Sequence, residues 1–192
     1  MTKGARTRQS LLDSAVRRFA ANGYRGTSVS EVARDVGLTP AAVYAYFGGK
    51  EELFAAAVDA DAAGLIEGAL SPVLSGTFDM EWAGLIAALL ERLPRHPLAR
   101  RLLSGLEPEH TVRMLEIPAL AELRKGIAER LRAGQASGEV RRDIDPVRAA
   151  SGLESVVMAI LIAAMQTGVP AEGERAEGIV ELLQAALREP PR

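Results

Sequence analysis

Residues 28–50 constrain the fold of this chain more than any other stretch, because a helix start, a helix stop and a second helix start follow one another at close quarters. Ser28 with Glu31 three positions on has the form of a capping box, and Val29, Val32, Ala33 and Val36 make a short apolar stripe. Gly37 is placed to end that helix. Thr39 can cap a new one, with Pro40 at its first position, where a missing N–H costs nothing, and Leu38 can staple onto Val43. So tight a connection sends the second helix off at a steep angle to the first. The sequence predicts a helix-turn-helix.

An amphipathic helix is expected before this motif, over residues 9–20, with Leu11, Leu12, Ala15, Val16, Phe19 and Ala20 on one stripe and Asn22-Gly23 as its stop. After "FGGK" helical texture resumes at Lys50 for about 20 residues and closes at "SPVLSG". Further helices are expected over "FDMEWAGLIAALLERL", "PLARRLLSGL", a long segment from Thr111 interrupted by Pro118, a segment capped by Asp145-Pro146, and residues 173–188. No segment alternates convincingly as a strand. The expected fold is all-α: three helices within residues 1–48 and a helical body of about six helices over 49–192.

Charge separates the same two regions. Residues 1–50 hold eight basic and three acidic side chains, a net of +5, whereas the other 142 hold fifteen basic and twenty-two acidic, a net of −7. A basic module on an acidic body is the electrostatic footprint of a polyanion binder. Lys3, Arg6 and Arg8, with no acid before Asp13, suit phosphate or minor-groove contacts from a flexible leader.

Enzyme chemistry finds little support. Cysteine is absent, which excludes disulfides and thiolate nucleophiles. His96 and His110 have no ligand partner at helical spacing and read as solvated loop residues; the acid pairs Asp143/Asp145 and Glu172/Glu174 read as solvated carboxylates. No phosphate-loop, dinucleotide or nucleophile-elbow motif occurs. No cofactor or metal is expected. Without an export signal or an apolar run near the roughly 18 residues of a membrane span, a cytoplasmic protein is expected.

The residues "FAANGYRGTSVSEVARDVGLTPAAVYAYFGGKEELF" resemble the N-terminal module of the TetR/AcrR family of transcriptional regulators. The resemblance covers about residues 6–54, with Phe19, Gly23, Thr27, Val32, Ala33, Gly37, Tyr44, Phe47, Lys50 and Leu53 where the family pattern has them. One departure is Ala41-Ala42, where many members carry larger or polar residues, so fewer base-specific hydrogen bonds are implied there. The candidate DNA-contacting residues are Thr27, Ser28, Thr39, Pro40, Ala41, Tyr44, Tyr46 and Lys50, with Lys50 beside N-terminal amides that form an anion site.

What the resemblance implies is an all-α protein with a three-helix helix-turn-helix DNA-binding domain over residues 1–48 and a ligand-binding and dimerisation domain over 49–192: a homodimeric, ligand-responsive repressor on a palindromic double-stranded DNA operator, dimerised through its last two helices. The over-hydrophobic run "VVMAILIAAM" needs cover all round, and a partner helix would supply it. Six of the eight aromatic residues precede position 55, so a mostly apolar, aliphatic effector is expected, with Trp82, Met114, Met158 and Met165 as pocket candidates. Two other classes stay open: a helical enzyme or small-molecule carrier whose first 50 residues dock a partner, and an architectural DNA-binding protein without a ligand.

Overall fold

The computed structural model describes residues 2–73, 81–168 and 174–189, and all of its regular elements are helical. In chain order they are α1 (Lys3–Asn22), α2 (Val29–Asp35), α3 (Pro40–Val43), α4 (Lys50–Val73), α5 (Glu81–Arg92), α6 (Pro97–Leu103), α7 (Pro118–Ser137), α8 (Pro146–Thr167) and α9 (Glu174–Leu187), with short 3₁₀ turns at Leu93–Arg95, Pro108–His110 and Val112–Glu116. The chain divides into two compact units, residues 1–64 with 93–117 and residues 65–92 with 118–192. This division falls elsewhere than the boundary expected at residue 48, because the helix-turn-helix module packs with α6 and the turns that follow it.

The first unit is built on Leu11, Phe19, Val32, Val43, Phe47, Leu53 and Phe54, none more than 2% exposed. Phe19 and Phe54 meet edge to face at 4.9 Å, a favoured aromatic geometry. The cap signals take the predicted form. Ser28 Oγ accepts the Glu31 N–H while Glu31 Oε2 accepts the Ser28 N–H, a complete capping box. Gly37 takes φ +69°, its N–H donates to the Arg34 carbonyl and that of Leu38 to the Ala33 carbonyl, which makes the exit of α2 a Schellman motif. Thr39 Oγ1 accepts the Ala42 N–H and Pro40 opens α3.

Four expectations are corrected. The first helix begins at Lys3, because Thr2 caps it by accepting the Ala5 N–H at 3.2 Å; the basic leader is therefore helical. The second helix of the motif is regular only over Pro40–Val43 and continues to Phe47 as tighter turns. The fourth helix runs through Ser71-Pro72 to Val73, and "SPVLSG" otherwise lies outside the described residues. Residues 112–116 are a 3₁₀ turn and α7 starts at Pro118, where proline fits a first turn.

In the second unit α7 packs against α8 through Leu120, Leu123, Ile127 and Leu131 on one side and Leu153, Val157 and Leu161 on the other, all buried. Glu154 of α8 accepts twice from Arg124 Nη1 of α7, at 2.9 and 3.0 Å. Asp145 caps α8 through the Val147 and Arg148 N–H groups, as predicted. Contrary to the expectation that no segment approaches a membrane span, α8 is long and apolar enough to cross one by length and composition, and 28% of that stretch is buried within the chain. The sequence pattern concealed this because Arg148, Ser151 and Glu154 interrupt the apolar run.

Candidate nucleic-acid interface

The platform for the reading helix is the junction of α1 with α2. Arg18 of α1 donates from Nε and Nη2 to the two Asp35 carboxylate oxygens, both at 2.6 Å, and Ser14 Oγ adds a third bond at 2.8 Å. Arg18 also lies 3.4 Å from Glu31. These hydrogen bonds hold the Asp35 carboxyl far below the usual carboxylate range, and the bonds from Ser28 lower Glu31. A bidentate guanidinium–carboxylate pair fixes direction as well as distance, so α2 is set at one angle to α1. The turn and α3 then project from it.

On that projection Thr39, Pro40 and Ala41 are exposed, and Tyr44 is 56% exposed. Val43 and Phe47 point inward at 1% and 2%. Tyr46, expected to face outward, is half-buried. Ser28 is exposed, but its hydroxyl is occupied on both sides by Glu31. Beside the turn, Lys3, Arg6, Thr7 and Ser10 of α1 line an open groove with Val36 and Leu38. The helical start of α1 thus brings positive charge next to the reading edge, as the expected leader would have, but at fixed positions.

Thr27 is placed differently from the expectation. It is 2% exposed and its hydroxyl donates to the Gly23 and Arg18 carbonyls at 2.9 and 3.1 Å, so it closes the α1–α2 turn and presents nothing to a partner. The anion site expected at the start of α4 is also altered: Glu52 accepts the Gly48 N–H at 2.7 Å, so the chain's own carboxylate takes that donor. Lys50 is half-buried with its ammonium 4.5 Å above the Tyr24 ring.

Sequence reasoning missed Tyr24 and the two histidines. Tyr24 meets Phe54 at 5.1 Å and His110 at 4.5 Å, and His110 also lies 4.5 Å from Phe54, with Nε2 buried. His96 Nδ1 is 3.1 Å from Asp61, a buried carboxylate that also accepts the Leu98 and Ala99 N–H groups at the start of α6. Neither histidine is a solvated loop residue. Partners 35 and 86 positions away in the sequence carry no local signal.

The effector candidates do not converge in one unit. Met114 is 6% exposed in the first, Met158 and Met165 are half-buried on α8 in the second, and the Trp82 side chain lies outside the described residues, as do Phe78 and Glu172. Asp143 pairs with Arg141 and Asp145 is a cap. No cluster of metal-ligating side chains occurs among the described residues.

A family model described as bacterial regulatory proteins, tetR family, matches residues 11–57. The HTH-type transcriptional repressor AcnR of Corynebacterium jeikeium (strain K411) is 26% identical over 191 residues, covering 94% of this chain and 91% of its own length. Among solved structures, a protein assigned to the TetR-family transcriptional regulators from Mesorhizobium loti MAFF303099 superposes with a TM-score of 0.73 at 24% identity, over 98% of this chain and 100% of its own. The regulator FadR from Bacillus subtilis superposes at 0.69 and 20% identity, over 93% and 98%. The structural likenesses agree in fold, the relative spans both units, and the family model falls on the helix-turn-helix: residues 11–57 carry the helix-turn-helix module of the tetR family of bacterial regulatory proteins.

Proposed function

We propose that this chain is a homodimeric, ligand-responsive repressor that binds a palindromic operator. The observation that supports it is the exposed edge of Thr39, Pro40, Ala41 and Tyr44, held at a fixed angle by Arg18–Asp35 and flanked by Lys3 and Arg6. A projecting short helix with small residues at its start lets the backbone approach base edges, while cations beside it meet phosphates. Thr39, Pro40, Ala41, Tyr44 and Lys50 are the proposed contacts, Tyr46 a lesser one. The relative AcnR carries the name of a repressor, in accord with this reading.

Dimerisation rests on α8 and α9. Val147 and Val156 of α8 are 53% and 37% exposed and Leu182 of α9 is 72% exposed. A helix as apolar as α8 needs cover, and a two-fold partner supplies it with the same surface. Two reading helices then sit roughly 34 to 36 Å apart, in successive major grooves. An effector bound in the body favours a different spacing, and by linkage operator DNA weakens effector binding equally.

The test is selection of bound sequences from random DNA by the full chain, followed by release screening. Bacillus subtilis FadR was solved with stearoyl-CoA, which makes that compound a reasonable first probe of an aliphatic pocket beside shorter acyl and uncharged apolar compounds. A palindrome and a releasing compound are expected. Binding without sequence preference would favour the architectural class, and failure to bind DNA at low salt the enzyme or carrier class.

A further inference from the structure

Within the second unit, one guanidinium is held by the nitrogen that leaves its best recognition edge unused. Both Glu154 oxygens accept from the single Nη1 of Arg124, at 2.9 and 3.0 Å. Two other arginines of the chain pair differently: Arg18 places Nε and Nη2 on the two oxygens of Asp35, and Arg141 places the same two nitrogens on those of Asp143. That edge is the fork of a guanidinium, whose two parallel donors match a carboxylate. At Arg124 the Nε and Nη2 donors have no protein partner among the described residues and are not buried, and the side chain is 39% exposed. The Glu154 side chain is only 10% exposed. The buried acid is thus an anchor, and the fork it steadies stays accessible. Apolar surface lies beside it. From Glu154 along α8, Met158, Ile162 and Met165 follow at i+4, i+8 and i+11, on one face of the helix. All three are half-buried, between the buried Val157 and Leu161 on one flank and the exposed Ala159 and Ala163 on the other. The stripe runs for about 16 Å along the helix axis.

We propose that Arg124 and this stripe form a binding site for a small aliphatic carboxylate, whose carboxylate takes the Nε–Nη2 fork and whose chain lies along Met158, Ile162 and Met165. Donor geometry selects the head group. An alcohol or ester offers one good acceptor where the fork has two donors, and a cation meets only donors. A dianionic phosphate would set two charges beside the Glu154 carboxylate, which burial already holds above its ordinary value, so a monoanion is preferred. Methionine suits the other end, because its unbranched thioether adapts to an alkyl chain without a fixed shape. A pair built for support alone would spend the fork on its own acid, as Arg18 and Arg141 do.

The site rests on the effector reading given above and narrows it, and its test measures binding without DNA, so that the two fail separately. Butyrate, hexanoate and octanoate, with methyl octanoate as the uncharged match, are titrated calorimetrically into the full chain, Arg124→Lys and Met158→Gln. The unmodified chain is expected to prefer octanoate to its ester by about tenfold or more. Its affinity is expected to rise by about fourfold for each methylene buried. Arg124→Lys keeps a cation for Glu154 but has no fork, and is expected to narrow the preference for the acid to about threefold or less. Met158→Gln is expected to flatten the dependence on chain length. Arg124→Gln serves where Arg124→Lys fails to fold. Equal binding of octanoate and methyl octanoate by the unmodified chain, or a preference that survives in a folded Arg124 variant, overturns the site. Octanoate binding without release of the selected operator upholds the site and removes it from the repressor's regulation. Operator release by uncharged compounds, with no octanoate bound, keeps the repressor reading and overturns the site.

Discussion

Arg18 and Asp35 face each other squarely, Nε on Oδ2 and Nη2 on Oδ1 at 2.6 Å each, and this pair is what converts a helix-turn-helix sequence into an aimed one. The Asp35 carboxyl lies far below its ordinary value, chiefly through the Arg18 hydrogen bonds. The sign follows directly: a depressed carboxyl contributes its stability above the unfolded value, about pH 4, and loses it as pH falls below. Asp35→Asn should therefore lower the thermal midpoint at pH 7, flatten the acid limb of the stability curve, and weaken operator binding. An acid limb identical to that of the unmodified chain would detach Asp35 from the clamp.

Gly37 and Gly23 share a positive φ but differ in surroundings. Nothing lies within 4 Å of a Cβ at Gly37, so substitution there costs only the left-handed conformation, roughly 1–2 kcal/mol for a residue with a Cβ. Asn tolerates that conformation, so Gly37→Asn should bind operator nearly as the unmodified chain does, while Gly37→Val should lose specific binding and remain dimeric. Gly23→Asn meets Arg101 and Glu107 in addition and should lower the thermal midpoint further than Gly37→Asn does. Equal losses for the two Asn variants would contradict this distinction.

What the sequence disclosed follows the range of the interactions. The capping box at Ser28, the Schellman exit at Gly37 and the Thr39-Pro40 start each depend on residues a few positions apart, and each took its expected form. Apolar spacing likewise gave Leu11, Phe19, Val43 and Phe47 to the core. Thr27 and Tyr24 were misjudged or missed because their partners are decided by tertiary packing: a polar residue near the turn can face DNA or close a helix end, and the pattern is the same for both. His110 looked solvated among polar neighbours, yet its ring packs against Tyr24, 86 positions away.

The reading edge gives a prediction that separates contact from packing. Tyr44 is exposed, so Tyr44→Ala should leave the thermal midpoint within a degree or so and reduce operator affinity by about tenfold, close to 1.4 kcal/mol. Lys50 has a second attachment in the Tyr24 ring, but an ammonium carries three donors and can lie on the ring and still meet a phosphate. Lys50→Ala should weaken binding to all sequences and reduce the salt slope by about one unit. An unchanged slope would leave Lys50 with its ring contact alone.

Glu154 offers the opposite pH dependence to Asp35. Burial raises its carboxyl above the ordinary range, and the Arg124 guanidinium only partly offsets this. The folded chain then holds a proton there more readily than the unfolded chain does. Its contribution is fully present below the unfolded value of about 4.3 and declines as pH rises through the folded value. Glu154→Gln keeps an acceptor for Arg124 and removes the buried charge, while the Arg124 side chain, 39% exposed, stays hydrated. Breaking a fully buried pair costs several kcal/mol, but here the remaining cation reaches water, so the expected change at pH 7 is within about 1 kcal/mol and of either sign. Relative to Glu154→Gln, the unmodified chain should gain stability as pH is lowered from 7 toward the ordinary carboxylate range, as measured by urea denaturation across that interval. A loss beyond 2 kcal/mol at pH 7 would instead make the α7–α8 ion pair a principal support of the second unit.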